Sequence, residues 1–335
     1  MLFVRTSDLK PGMRLARPVY NKNGVMLYER DSKLTMQGVV SIQNFGLIGI
    51  YILEPAEPLP PMSEDDIAFE RYQTMAVFSL RDIFDAISKG KRAITLPTFV
   101  SELIRNYGQL NRKINFLQNV RSTSDAVYKH SLNTAILAAM ISHRMRLSSQ
   151  EQIRLIMAAL LHQSEYDNYS LDDKVKRILL QFKHILSERG DRSSFIKVSE
   201  ATEILLVAYY YDQLTAMKLD EEPQSEVEAL RYLSDPDNAF LLEAVNGLVD
   251  SINILTPGVC VQLTNGERGV VLNENTSDVL RPTVLCFENN KIRVLSQDSV
   301  YDKVQIHDIM KSMDNRFLID RSFLEENKGK LARMN

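Results

Sequence analysis

Two apolar helical segments between Tyr128 and Tyr166 constrain the fold of this chain more than any other feature. The first reads Y-K-H-S-L-N-T-A-I-L-A-A-M-I from residue 128, and the second ends in A-A-L-L-H-Q at residues 158–163. Apolar residues recur in both at three- and four-residue spacing, which is typical of the buried face of a helix. They are Leu132, Ala135, Ile136, Ala139 and Met140 in the first segment, and Ile153, Ile156, Met157, Leu160 and Leu161 in the second.

Each apolar segment carries one histidine at its polar edge. His130 is predicted to open the first helix and His162 to close the second, while Ser148 and Glu151 predict a capping box at the start of the second. Two adjacent antiparallel helices would bring these imidazoles to one place. Such a pair suits a metal site, and it equally suits a core with two hydrogen-bonded histidines.

Composition places the chain among ordinary globular proteins. Of 335 residues, 44% are hydrophobic and 25% are charged, and the formal net charge of −3 provides no basic field for nucleic acid. Two cysteines, Cys260 and Cys286, fit a reducing compartment better than a disulfide framework. Without a signal peptide or a bilayer-length apolar run, the chain is expected to be cytoplasmic, with no membrane or nucleic-acid partner.

Residues 1–54 are predicted to form a small β-rich module. Turn signals at Pro11-Gly12 and Asn23-Gly24 adjoin β-capable runs such as residues 25–28, a short helix is predicted over 35–44, and a buried strand over 48–53. Four prolines then fall within residues 55–62 and predict a stiff linker.

Residues 63–256 are predicted to form a helical bundle domain. Besides the two histidine helices, capping and stop residues predict five more helices. Two begin at capping boxes: one from Ser63–Asp66 to about Ile87, and one from Ser170–Asp173 to near Gly190. The other three run from Pro97 to about Val120, over 199–219, and from Asp235-Pro236 to Thr256-Pro257-Gly258.

Residues 257–310 change to β periodicity and predict a small antiparallel module. One hairpin is predicted around Asn265-Gly266 and a second around Asn289-Asn290, with the two cysteines on neighbouring strands as free thiols. The tail, residues 311–335, is predicted to be frayed. The fold class is therefore mainly α, a helical bundle flanked by a small N-terminal β-rich module and a small C-terminal antiparallel β module.

The sequence H-S-L-N-T-A followed by A-A-L-L-H-Q resembles the HD superfamily of metal-dependent phosphohydrolases. It is most similar to the HD-GYP branch, whose active members hydrolyse cyclic di-GMP. The phrases D-L-K-P-G-M-R-L-A at 8–16 and P-G-V-C-V-Q-L-T-N-G-E-R-G-V-V at 257–271 resemble the modules that flank many HD-GYP domains. The resemblance implies an HD-type bundle, with His130, His162 and His184 at the positions of three family metal ligands.

The departures from the family pattern fall on the groups that carry its chemistry. Gln163 stands where the bridging Asp of the H-D pair is expected, Tyr166 where a lysine is expected, and Tyr209 where a metal-binding Asp is expected, while Asp212 is retained as framework. The H-H-E and D-G-x-G-Y-P segments have no counterpart between His184 and residue 199.

These losses predict a catalytically inactive HD-GYP-like protein that acts as a signalling or scaffolding module, through a protein partner or through self-association. No residue is assigned as catalytic. No cofactor is expected; the alternative is one zinc or iron ion held by His130, His162 and His184, because three imidazoles and water form an acceptable zinc set. Two alternative functions stay open: a non-hydrolysing receptor for cyclic di-GMP or another cyclic dinucleotide, and a residual metal-dependent phosphohydrolase.

Overall fold

The structure of the protein is a computed structural model that describes residues 2–44, 49–53, 62–118, 121, 125–166, 169–188, 197–217 and 223–310. The predicted fold class is confirmed: the described chain is mainly α-helical, with small antiparallel sheets near both ends. The predicted linker over 55–62 and the predicted tail over 311–335 lie almost entirely outside the described residues.

The N-terminal module is β-rich, as predicted, and has a small core of its own. A three-stranded antiparallel sheet has the order β1–β5–β2, and β3 pairs with β4. The elements are β1 (Leu2–Arg5), β2 (Arg14–Leu15), β3 (Val19–Tyr20), β4 (Met26–Tyr28), α1 (Met36–Asn44) and β5 (Gly49–Leu53). Leu15 and Ile42 are fully buried in this core, which α1 closes on one side.

The bundle begins at the predicted Ser63–Asp66 capping box, in which each residue accepts a hydrogen bond from the backbone N–H of the other. Its helices are α2 (Glu64–Ser88), α3 (Leu96–Tyr107), α4 (Ala126–Arg144), α5 (Ser149–Leu161), α6 (Asp173–Ser187), α7 (Glu200–Thr215), α8 (Glu226–Ser234) and α9 (Leu242–Val249). The predicted capping box of Ser148 and Glu151 is also confirmed, at the start of α5.

Helix α4 is the centre of the bundle. Every residue from His130 to Ser142 is buried, because α2, α3, α5, α7 and α9 all pack against it. Gly247 on α9 permits one of these close approaches, since a Cβ there would lie only 3.1 Å from Ile141 Cγ2. A helix that is apolar on all sides is typical of such a fully enclosed position.

Several predicted helix limits were wrong, and side-chain capping explains the one at the start of α6. Helix α4 begins at Ala126, one turn before His130, with Asp125 at its N-cap. The N-cap of α6 is Asp172, whose side chain accepts from the Lys174 N–H, instead of Ser170. Helix α3 ends at Tyr107 instead of continuing towards residue 120, and Gly108, a poor helix former, is its C-cap.

The helix predicted from Asp235 to about residue 256 is replaced by shorter elements. A 3-10 turn covers Pro236–Asn238, and Ala239 then adopts a left-handed φ of 54°, which stops the turn before α9 begins at Leu242. Helix α8 was missed, although Ser225 and Glu228 form a third capping box. Ile153, predicted to be buried, is 41% exposed on the outer side of α5.

The C-terminal module is a five-stranded antiparallel sheet with strand order β10–β6–β7–β8–β9. It contains β6 (Cys260–Leu263), β7 (Arg268–Asn273), β8 (Thr283–Cys286), β9 (Ile292–Val294), the short helix α10 (Asp298–Tyr301) and β10 (Ile306–Ile309). Both predicted hairpins are confirmed. The two cysteines are free, but they lie on β6 and β8 with β7 between them, and so not on neighbouring strands.

The inner face of this sheet joins the hydrophobic core of the bundle. Val261, Val284 and Ile306 are fully buried and belong to the same cluster as the central helices. Arg231 on α8 also donates a hydrogen bond to the Ile306 carbonyl. Among the helices that the structure describes, none is long and apolar enough to cross a membrane.

We expect Leu137→Ala to lower the free energy of unfolding by about 2–5 kcal/mol, because Leu137 is fully buried at the centre of α4 and its loss leaves a cavity. Urea denaturation measures the change. Leu180→Ala is the matched control: Leu180 is 62% exposed on α6, so its truncation should change stability by less than about 0.5 kcal/mol. Equal effects of the two substitutions would contradict this description of the core.

Candidate functional site

His130 and His162 meet inside the bundle, as the two helical segments predicted. His130 is the fifth residue of α4 and His162 is the C-cap of α5, and the two helices are joined by residues 145–148. Their ring centroids lie 5.2 Å apart with the planes at 75°, and each residue is only 6% exposed. The predicted convergence of the two histidines is therefore confirmed.

The Asp212 carboxylate on α7 is the charged centre of this region. It is completely buried, and its oxygens accept hydrogen bonds from Arg121 Nη2 at 2.5 Å, Asn133 Nδ2 at 2.9 Å and Gln118 Nε2 at 3.0 Å. His130 Nδ1 lies 2.5 Å from Asp212 Oδ2. Burial alone would raise the pKa of Asp212, but the Arg121 charge and the His130 hydrogen bond outweigh it and hold that pKa well below its usual range.

The carboxylate determines the tautomer of His130. A ring nitrogen 2.5 Å from an ionised carboxylate must carry the proton, so Nδ1–H donates to Asp212. Arg121 Nη1 also lies 3.3 Å from Nδ1, but both atoms are then donors and this contact is not a hydrogen bond. Asp212 thus orients the imidazole of His130 and leaves Nε2 as the ring nitrogen that does not face the carboxylate.

His162 is oriented in the same way by a backbone group. Its Nδ1 lies 2.7 Å from the Ala159 carbonyl, which can only accept, so Nδ1 carries the proton and Nε2 has a lone pair. Nε2 is buried without a hydrogen-bond partner among the described residues. Burial, with a further contribution from His130, lowers the pKa of His162 to about 3, so this imidazole is neutral at physiological pH.

Aromatic rings surround the two imidazoles. The Tyr209 ring lies 4.8 Å from the His130 ring and 5.6 Å from the His162 ring, edge to face in both cases. Phe182 on α6 contacts His162 at 5.5 Å and Tyr209 at 5.2 Å. At the position where the family resemblance implies a metal-binding carboxylate, a phenol ring therefore packs against both histidines.

The remaining predicted site residues lie apart from the histidine pair or make other contacts. Gln163 is exposed at the surface, directly after the end of α5. The Tyr166 ring is half-buried and holds the Lys183 ammonium 4.2 Å from its centroid. His184 lies on α6 and does not join His130 and His162 in a ligand group: no three His, Cys, Asp or Glu side chains in the described part of the chain are arranged to hold a metal ion.

A two-metal hydrolytic centre does not fit these residues. Two divalent ions at short separation need bridging carboxylates to offset their charge. Asp212 is the one carboxylate in contact with the histidine pair among the described residues, and its charge is already balanced by Arg121 at 2.5 Å. No hydrolytic step through metal ions can therefore be derived from this geometry.

Four residues that build the site were not predicted from the sequence. Arg121 follows α3 in an irregular segment, and no local pattern marks it as the counter-ion of a residue 91 positions away. Gln118 and Asn133 bond to each other and to Asp212, and Gln73 on α2 donates to Asn133 Oδ1 at 3.0 Å. Asn133 could have been found, because it lies one turn after His130 in the quoted motif.

Comparison of the chain with protein-family models, with curated proteins and with solved structures found no match. The resemblance to the HD-GYP branch rests on the motifs quoted above and stays a prediction.

We expect Asp212→Asn to lower the free energy of unfolding by about 3–5 kcal/mol, because it leaves the Arg121 charge buried without its counter-ion. Chemical denaturation measures the loss. Asp65→Asn is the matched control, since the Asp65–Arg112 pair is more than half exposed on both sides and should contribute less than about 1 kcal/mol. A loss at Asp212 as small as at Asp65 would show that the buried pair is not stabilising.

We also expect His162 to make the free energy of unfolding fall as the pH is lowered. Its folded pKa of about 3 lies below the unfolded value of about 6.5, so the unfolded state binds the extra proton and stability falls as pH drops through this window, by at most about 1.4 kcal/mol per pH unit. Urea unfolding between pH 7 and 5 should show a flatter dependence for His162→Gln than for wild type. His307→Gln, at an exposed position, should keep the wild-type slope. If stability changed with pH equally in all three proteins, the lowered pKa of His162 would be refuted.

Proposed function

We propose that this protein is a catalytically inactive HD-GYP-like signalling or scaffolding module that acts by binding a protein partner or by self-association. The observation that carries the proposal is the Asp212–Arg121 pair beside His130. The carboxylate at the histidine pair is neutralised by a buried guanidinium, so it has no charge left to offset a metal cation.

The surroundings of the histidines support the same conclusion. A hydrolytic water needs room and a metal ion or base that lowers its pKa. Here the Tyr209 and Phe182 rings lie edge to face with the His162 ring, and His162 is neutral and buried. The residues at the centre of the bundle therefore stabilise the fold, and the proposed activity is a binding activity of its outer surfaces.

The same geometry weighs against a nucleotide stacking on the tyrosines at 209–211. Tyr209 already contacts both histidines, Tyr210 packs against Phe240 at 5.2 Å, and Tyr211 is 2% exposed. All three tyrosine rings thus already pack against other side chains or are buried within the protein.

The test is hydrolysis of cyclic di-GMP in the presence of Mn²⁺ or Fe²⁺, with an active HD-GYP phosphodiesterase as positive control. We expect no turnover above the protein-free rate by wild type or by His162→Ala. Turnover by the wild type that His162→Ala abolishes would overturn the proposal and favour the residual phosphohydrolase.

Metal content provides an independent test of the cofactor alternative. Wild type and His162→Ala are purified without chelators and analysed by mass spectrometry. We expect equal zinc and iron contents, because the histidine pair has no third ligand in the described part of the chain. About one equivalent of metal in the wild type that the variant loses would instead support a one-metal site. Calorimetry with cyclic di-GMP on the same samples tests the receptor alternative, which predicts heat of binding.

A further inference from the structure

A concave surface lies between α5, α6 and the start of α7, on the outside of the bundle. It encloses a cavity of about 800 Å³ and adjoins a smaller one of about 260 Å³, and Arg154 lines both. We refer to the residues that line these two cavities as the α5–α6 groove. The groove is separate from the histidine pair, since neither His130 nor His162 lines it.

The groove concentrates positive charge in a chain whose net charge is negative. Three carboxylates, Glu151, Asp172 and Glu200, line the groove, and Arg154 pairs with Asp172 at 3.7 Å. They are outnumbered by four cations, which are Arg154, Lys174, Arg177 and Lys197. Arg177 and Lys197 form no ion pair within the described part of the chain. Glu151 keeps its negative charge while it accepts from the Ser148 backbone N–H and hydroxyl, so the groove has one more cation than carboxylates. The local field therefore favours an anionic partner.

Apolar side chains alternate with these cations. Leu180 is 62% exposed and follows Lys174 and Arg177 at three-residue intervals, so the three lie along one face of α6. Ile153 on α5 is 41% exposed beside Arg154, and Ile178 lies in the floor of the groove. An exposed leucine and isoleucine beside a groove of cations provide apolar anchors within a charged rim.

We propose that the α5–α6 groove binds an acidic amphipathic helical segment of a partner protein. The cations match carboxylates at its polar edges, and the aliphatic floor matches apolar residues at three- and four-residue spacing. Nucleic acid fits less well, because none of the residues that line the groove is aromatic and could stack on a base. This inference rests on the proposed function, since it names the class of partner that such a module would bind.

The experiment measures binding of a fluorescein-labelled synthetic helix to the full-length protein by fluorescence anisotropy. The probe has about 16 residues, to match the 15 residues of α6, with leucines along one face and glutamates elsewhere. A second probe replaces every glutamate by glutamine. We expect saturable binding of the acidic probe that weakens as salt is added, and at least tenfold weaker binding of the neutral probe.

Variants of the groove identify the surface. Arg177→Glu and Leu180→Asp should each weaken binding about tenfold, and Arg177→Lys should stay within about threefold of wild type because it keeps the charge. Arg92→Glu is the control, a charge reversal at an exposed position outside the groove, and should leave binding unchanged. All three positions are exposed, and urea denaturation confirms that each variant folds.

The proposal is overturned if the acidic probe does not bind, if the neutral probe binds equally well, or if Arg177→Glu and Arg92→Glu behave alike. The peptide-binding test of the groove and the hydrolysis test of the proposed function can fail independently. Turnover of cyclic di-GMP would refute the inactive module whatever the peptide result, and failure of the probe to bind would refute the groove while leaving the absence of turnover intact.

Discussion

The buried charge of Asp212 is the constraint on which the rest of the bundle depends. A carboxylate with no solvent exposure is costly unless its charge is balanced and its oxygens accept hydrogen bonds. The balancing groups come from separate parts of the chain: Arg121 from the segment after α3, His130 and Asn133 from α4, and Gln118 from the loop before Arg121. These groups can meet only when α4 and α7 are packed side by side, so the interaction requires the native arrangement of the helices.

This network also decides the chemistry of the bundle centre. Asp212 holds the Nδ1 proton of His130, and the Ala159 carbonyl holds that of His162, so both imidazoles are oriented as metal ligands commonly are. The negative charge of Asp212, which a metal ion would require, is nevertheless already balanced by Arg121, and Tyr209 packs against both imidazole rings. The contacts that balance the buried Asp212 charge thereby leave no unpaired carboxylate in contact with the two imidazoles in the described part of the chain.

The modules at the two ends join the bundle in different ways. The N-terminal module keeps a core of its own and contacts α2 through the nearly buried Arg17–Glu70 ion pair, in which Arg17 also stacks 4.2 Å from the Tyr51 ring centroid. Burial raises the pKa of Glu70, which Arg17 partly opposes. The C-terminal sheet has no separate core, because its inner face continues that of the bundle. Within the described residues, the three predicted regions therefore correspond to two hydrophobic cores.

Local sequence determined the helical bundle, its flanking hairpins and the convergence of His130 and His162. Apolar spacing and capping boxes such as Ser63–Asp66 act between residues close in the chain, so they can be interpreted without a structure. Only the tertiary structure decided that Arg121 neutralises Asp212, that Tyr209 contacts both imidazoles, and that Leu180 and Arg177 border a groove. It also decided that His184 forms no metal-ligand group with His130 and His162 among the described residues. Each of these depends on which helices pack together, because burial and pairing of charges are set by residues far apart in the sequence.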